Sequence, residues 1–373
     1  MRIIDCADTQ QWQTILDRCT TYDFYHMAAY NAMEANENGQ RAAFFVYEEA
    51  ESVVALPLIL RPLAMIDGLR ESFDGYCDAT SVYGYPGPVT NQTWTNRSFF
   101  ERFGHALRNQ LNEMRVIAVF SRLHPIIQND AGLCVGEIVS LGETVSINLT
   151  LPIDEQFQLF RKSHRYEIRR SRDANVVVFH DTEWKYYGDF ITLYLDTMRR
   201  VNAGKHYHFA QTYFDKLQEG LGEKLHLFVV SQNGKIISAA LFTLINGIVE
   251  YHLSGSSTES MNHAASKLVI DEARLWFSKQ GALVLHLGGG LGSEKDNLFL
   301  FKSGFSQQRH RFKIWRYVVD SKQYDLAVKQ RQKWLLSHDS QSSQDDFFPL
   351  YRSEYKRQEH DLPLLFCGHT GQS

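Results

Sequence analysis

The sequence predicts an α/β chain of mixed sheets with helices packed on them, built as two tandem copies of one plan. Three observations carry this. Two hairpin-like segments, AAFFVYEEAESVVALPLIL at 42–60 and LHLFVVSQNGKIISAALFTL at 225–244, are each followed by an amphipathic helical stretch and then an apolar strand. At 373 residues the chain is too long for one average domain. Its 44% hydrophobic and 13% aromatic content is enough for large packed cores.

In the first copy, Glu48 to Glu51 supplies a polar turn between two β-rich runs. A helix follows at about 95–114, with Phe99, Phe103, Leu107 and Leu111 at a spacing of four, and then the strand RVIAVFSRL. In the second copy Asn233-Gly234 is a strong hairpin signal. After it come IVEYHLSG, a helix at about 262–280 whose apolar face carries Leu268, Val269, Glu272, Ala273 and Trp276, and ALVLHLGG. The repeated order of hairpin, helix and strand favours two separate mixed sheets over one large sheet. The boundary falls near 150, which gives an amino-terminal domain at 1–150, a second domain at 151–320 and a polar tail at 321–373.

The second domain opens on a helix beginning at Asp154 and carrying FRKSHRYEIRRSRD. Arg161, Arg165, Arg169 and Arg172 share one face, with Lys162 and Arg170 nearby. Such a run is ordinarily a solvated face; its density also suits an anion such as a phosphate, a diphosphate or an RNA backbone. In the tail, a helix at about 324–336 precedes the mobile linker SHDSQSSQDD, and FFPLYRSEYKRQ and LPLLFC can dock back on a domain.

A formal charge of −4 excludes a generic polyanion binder. The five scattered cysteines, Cys6, Cys19, Cys77, Cys134 and Cys367, lack CxxC spacing and point to reduced thiols. With no signal-peptide core and no membrane-length apolar run, a soluble cytoplasmic protein is expected. There is no G-x-S-x-G, H-E-x-x-H or Walker A pattern, and no histidine spacing that indicates a metal requirement.

The richest stretch is LHLGGGLGSEKDNLFLFKSGF at 285–305. Leu285 and Leu287 flank His286 at strand period, and Gly288, Gly289, Gly290 and Gly292 form a turn. Ser293 then caps a helix at about 294–302, with Glu294 in its first turn and Lys302 in its last. The corner reads as a tight strand-to-helix turn, or as a cradle of amides around an anionic or polarised group.

Together with SVYGYPGPV at 81–89, the basic helix and LFLFKSGF at 298–305, the duplicated plan resembles the FemAB-like branch of the GNAT acyltransferase superfamily, over roughly residues 20–320. The resemblance implies tandem GNAT-like domains and an enzyme that transfers an aminoacyl or acyl group to an amine of a cell-envelope precursor, a polysaccharide sugar or a metabolite. It implies no tightly bound cofactor, and a donor that is aminoacyl-tRNA or acyl-CoA. The R/Q-x-x-G-x-G/A loop that holds the CoA diphosphate in acetyl-CoA enzymes is absent from LSGSSTESMNHAASK at 253–267, where Gly255 stands alone. That departure disfavours acetyl-CoA, while the lack of an inserted coiled-coil arm speaks weakly against tRNA. An acetyl-CoA-dependent N-acetyltransferase and a non-catalytic GNAT pair serving as a binding module are the alternatives.

By the same resemblance, Lys302 takes the electrostatic role at the acyl-transfer channel, and the amides of Gly288, Gly289 and Gly290 can serve the same charge. Tyr83, Tyr85 and Gly87 line the acceptor groove, and Arg165 and Arg169 hold acidic groups of acceptor or donor. For the proton the chain offers His286, Asp296, His252 and Asp74, or release to water.

Overall fold

The computed structural model describes residues 1–35, 39–174, 176–204, 207–258, 264–338, 341–342, 347–353 and 355–356. The first half of the chain forms β1 (Arg2–Asp5), α1 (Thr9–Arg18), α2 (Ala28–Glu34), β2 (Arg41–Glu49), β3 (Ser52–Pro62), β4 (Cys77–Thr80), β5 (Val89–Thr90), α3 (Arg97–Glu113), β6 (Val116–Arg122) and β7 (Glu137–Asn148). The second forms α4 (Ile153–Gln158), α5 (Lys162–Asp173), β8 (Val177–His180), α6 (Tyr187–Arg200), α7 (Gln211–Leu221), β9 (Leu225–Gln232), β10 (Lys235–Ile245) and β11 (Ile248–Ser256). It continues with α8 (Ala265–Lys279), β12 (Val284–Gly288), α9 (Asn297–Lys302), β13 (Arg309–Val318) and α10 (Ser321–Ser337).

The duplication is real: β2, β3, β4, α3 and β6 are matched by β9, β10, β11, α8 and β12. Each copy joins its last two strands in parallel, β4 with β6 and β11 with β12. The expected pair of separate sheets is replaced by one sheet of 13 strands, ordered β1-β2-β3-β4-β6-β13-β7-β12-β11-β10-β9-β8, with β5 on β3. The cause is a reciprocal exchange. β7 leaves the first copy to pair with β12, β13 leaves the second to pair with β6, and the two pair with each other. An edge that either copy would leave open is thus closed by the other.

Local chemistry explains the elements. Asn233 and Gly234 take φ of 50° and 77°, as a type I′ hairpin turn requires. The α3 residues Phe99, Phe103, Leu107 and Leu111 are buried against Leu56, Leu58 and Val119. On α8, Leu268, Val269, Ala273 and Phe277 pack against Phe228, Phe242 and Leu285. That helix also buries Asp271 and Arg274, whose Nη2 reaches the carboxylate at 2.7 Å; the apolar period concealed this ion pair.

Two helix expectations are corrected. The basic helix is not continuous from Asp154: α4 stops at Gln158 and α5 starts after Arg161, its N-cap. The helix after the glycine turn is shorter than 294–302 because Ser293 adopts φ 68° in a turn of its own, leaving Asp296 to cap α9 by accepting from Phe299 N at 2.8 Å.

From the tail, α10 packs on the first copy and Arg352 Nε reaches the buried Asp78 carboxylate at 2.5 Å. Of SHDSQSSQDD only 337–338 and 341–342 are described, and LPLLFC and Cys367 lie outside the described residues. Cys6, Cys19, Cys77 and Cys134 are free thiols. Among the described residues no helix is long and apolar enough to cross a membrane.

Candidate active site

The ladder between β11 and β12 is short, running from Ile248↔Val284 to Glu250↔His286. Beyond that point the strands part, and β12 bulges on its β7 side between His286 and Gly288. Gly288 takes φ 76°, and a Cβ placed there would stand 3.2 Å from both Lys302 Nζ and Tyr85 Oη. Those two groups therefore converge on the glycine turn, from α9 and from the YGYPGP segment. Lys302 Nζ donates to Gly289 O at 2.7 Å. Within the expected amide cradle, Gly289 thus turns its carbonyl to Lys302.

Lys302 is only 9% exposed, and burial lowers its ammonium to about 8, against the stabilising charges of Asp296 and Glu250. Behind it lies a buried polar cluster. His286 Nδ1 sits 2.8 Å from each Glu250 oxygen, and its Nε2 is buried without a hydrogen-bond partner. Burial, His124, His310 and Lys302 together hold its imidazole well below the usual range, so it is neutral. Glu250 is pushed up by burial and by the neighbouring Asp23 carboxylate. The Tyr85 ring packs edge-on to His286 at 4.9 Å, and burial raises its hydroxyl, which stays protonated.

Asp23, His124 and Glu250 bring ligand-type atoms within 4.8 Å of one another. His124 Nδ1 accepts from the backbone N–H groups of Ile126 and Ile127, both at 3.2 Å. That leaves the ring proton on Nε2, which donates to Asp23 at 3.2 Å with Glu250 3.9 Å away. A nitrogen committed as a donor is a proton-sharing partner and a poor metal ligand.

The YGYPGP turn is locked from beneath. Asn129 Nδ2 donates to Pro86 O at 2.8 Å and to Pro88 O at 3.0 Å, while Gly84 and Gly87 take φ of 113° and 90°. Tyr83 is exposed, with its hydroxyl 2.9 Å from that of Tyr207 and Arg122 over its ring. A cavity of about 220 Å³ opens beside the cluster, lined by His124, Gln128, Asp130, His310, Arg311 and Lys313 among others.

Lys302, His286, Tyr85, Gly288 and Gly289 are thus brought together, with the Asp296 charge acting on Lys302, and the remaining expected residues have partners elsewhere. Asp296 is occupied as the α9 cap and as acceptor from Leu291 N. Gly290 packs against that carboxylate and the Glu294 carbonyl. Arg165 donates to the carbonyls of Gln158 and Phe160, and Arg169 lies over the Phe157 ring, so this part of the basic face is spent on its own chain. Arg172 pairs with Asp271. His252, lowered by burial to about 4, packs on Phe24, and Asp74 is exposed. Sequence reasoning missed Asp23, His124 and Glu250. The one available signal was Glu250 inside the apolar strand IVEYHL.

Comparison with solved structures was decided by FemX, which aligns over 87% of this chain and 99% of its own at a TM-score of 0.67 and 12% identity. The fold is that of FemX. A conserved protein of unknown function from Bacteroides thetaiotaomicron aligns over 84% of this chain and 98% of its own, at a TM-score of 0.55 and 13% identity. The C-terminal domain of a putative lysylphosphatidylglycerol synthetase from Agrobacterium fabrum covers 87% and 95%, at a TM-score of 0.51 and 13% identity. No family model matches the sequence, and no curated protein does. The FemAB-like GNAT resemblance carried by the motifs is met at the level of the fold.

Proposed function

We propose that this protein is an N-acyltransferase, moving an aminoacyl or acyl group onto an amine of a cell-envelope precursor, a polysaccharide sugar or a metabolite. The observation that carries the reading is the buried Lys302 ammonium, held beside Tyr85 Oη where β11 and β12 part, in a FemX-type fold. Attack of an amine on an ester or thioester carbonyl puts negative charge on the carbonyl oxygen. A dry ammonium and a phenol donor can stabilise that charge far better than water-exposed ones. His286, buried and held neutral with no hydrogen-bond partner on Nε2, is a base that can take the amine proton. The two copies, 1–150 and 151–320, would then present donor and acceptor to one another across the shared sheet.

Of the two donors, aminoacyl-tRNA is favoured by the missing CoA diphosphate loop at 253–267. Purified protein incubated with charged tRNA, and separately with acetyl-CoA, together with amine acceptors should give an amide product from the tRNA. Transfer from acetyl-CoA alone would reassign the donor, and binding of neither donor would favour a non-catalytic binding module.

A further inference from the structure

The cavity beside the cluster is walled by cations. It lies between β13 and the loop that follows β6, and β13 supplies it with Arg309, Arg311 and Lys313. Arg309 uses Nη1 to donate to the carbonyls of Ser306 and Gln308, at 2.8 and 2.9 Å, which leaves Nε and Nη2 without a hydrogen bond among the described residues. Lys313 reaches Asp130, the one acid on the wall, at 2.5 Å. Arg311 is exposed and makes no hydrogen bond or ion pair among the described residues; its cross-strand neighbour Glu143 is paired with Lys295. His310, whose Nε2 is 2.7 Å from Ser146 Oγ, is lowered by burial and by His124 and adds no charge. Three cations against one carboxylate leave the wall two charges positive.

Size and charge define the ligand. At about 220 Å³ the cavity is smaller than the roughly 300–1,000 Å³ that hold a whole small molecule, so it fits one group of a larger one. A carboxylate would leave one positive charge over, whereas a phosphomonoester carries about two negative charges at neutral pH and offers three acceptor oxygens. Position says which molecule carries it. His124 stands both in the cavity wall and in the buried cluster, with its ring 6.5 Å from that of His286. Gln128 and Asp130 line the cavity, and Asn129 between them clamps the YGYPGP turn expected to line the acceptor groove. We infer that the cavity is a subsite for a phosphomonoester carried by the acceptor, anchoring the molecule whose amine reaches His286 and Lys302. The inference rests on the acyl-transfer reading and adds the chemical class of the acceptor to it.

The test uses the full chain, with inorganic phosphate as the probe. Titration with phosphate at constant ionic strength should shift the His310 ring resonances saturably, these being assigned by their loss in His310→Gln. Arg311→Ala removes a side chain that has no hydrogen bond or ion pair to lose, and should weaken phosphate binding about tenfold or more at an unchanged melting temperature. Lys162→Ala takes an equal charge from α5 and should leave phosphate binding as it is. Absence of saturable binding, an equal loss in Lys162→Ala, or acetate bound as tightly as phosphate overturns the subsite. In turnover with whichever donor is used, phosphate should compete with the amine acceptor, and Arg311→Ala should raise its inhibition constant about tenfold. Competition with the donor instead would place the phosphate on the donor and overturn the acceptor class. Absence of transfer by the wild type itself, from either donor, sinks the acyltransferase reading, while the phosphate titration still decides the cavity by itself.

Discussion

At the scale of single residues, the depressed Lys302 separates an electrostatic role from a structural one by its pH dependence. Its ammonium must be charged to stabilise an oxyanion, so kcat should fall as pH rises through about 8, and Lys302→Arg should abolish that limb. Lys302→Met should lower kcat by about two to three orders of magnitude, the usual cost of losing one oxyanion donor. Stability runs the other way. Between about 8 and the ordinary lysine value the unfolded chain binds the proton and the folded chain does not, so stability rises with pH across that window. Relative to Lys302→Met, the wild type should gain up to about 3 kcal/mol over that range in denaturant titrations. Asp296 makes the contrast. As a cap it tolerates Asn, so Asp296→Asn should keep kcat within a few-fold, and Asp296→Ala should cost about 1 kcal/mol. A large kcat loss in Asp296→Asn with unchanged stability would restore it as an acid–base group. His286 and Lys302 were legible because each sits in a local pattern, strand alternation or helix end. Asp296 was legible only as a carboxylate after the glycine turn, because a cap and a base look alike until the N–H that it accepts is seen.

At the scale of elements, the site is held by two turns that meet. The glycine turn presents a carbonyl to Lys302, and the YGYPGP turn presents Tyr85, clamped by Asn129 through the Pro86 and Pro88 carbonyls. Asn129→Ala leaves two buried carbonyls without a donor and should destabilise the fold by about 1–3 kcal/mol. If the turn lines the acceptor groove, the same variant should raise the acceptor KM while leaving the pH limb of Lys302 in place; a pure stability effect would leave KM alone. The hairpins and the long helices were readable because their periods of 2 and 3.6 are written in consecutive residues. Glu250, His124 and Asp23 were not. Each is a lone polar residue on a different element, and only the parting of β11 and β12 and the arrival of the 23–26 turn bring them within reach of each other. The basic run is the opposite case: it is conspicuous locally, yet its sequence does not say that Arg165 and Arg172 close contacts within their own half.

At the scale of the whole molecule, the exchange of β7 and β13 makes the two copies mutually dependent. The repeat was legible but the exchange was not, because RHRFKIWRYV and EIVSLGETVSIN show good strand character without naming a partner. A chain cut at 150 would leave β7 without β12, and β6 without β13. Each fragment then presents an open edge of unpaired N–H and C=O groups, a template for aggregation. Residues 1–150 or 151–373 expressed alone should therefore be insoluble or only partly folded, and the two coexpressed should associate into a soluble complex that contains Ser146 next to His286 and His310. The intact chain should unfold in one transition by both far-UV dichroism and tryptophan fluorescence, since Trp12 and Trp315 in the first copy's cores cannot lose their packing while the second copy keeps β7 and β13 in place. Two separated transitions, or a soluble and cooperatively folded 1–150 fragment, would show that the strands exchange less energy than their pairing implies, and that each copy is a domain able to stand by itself.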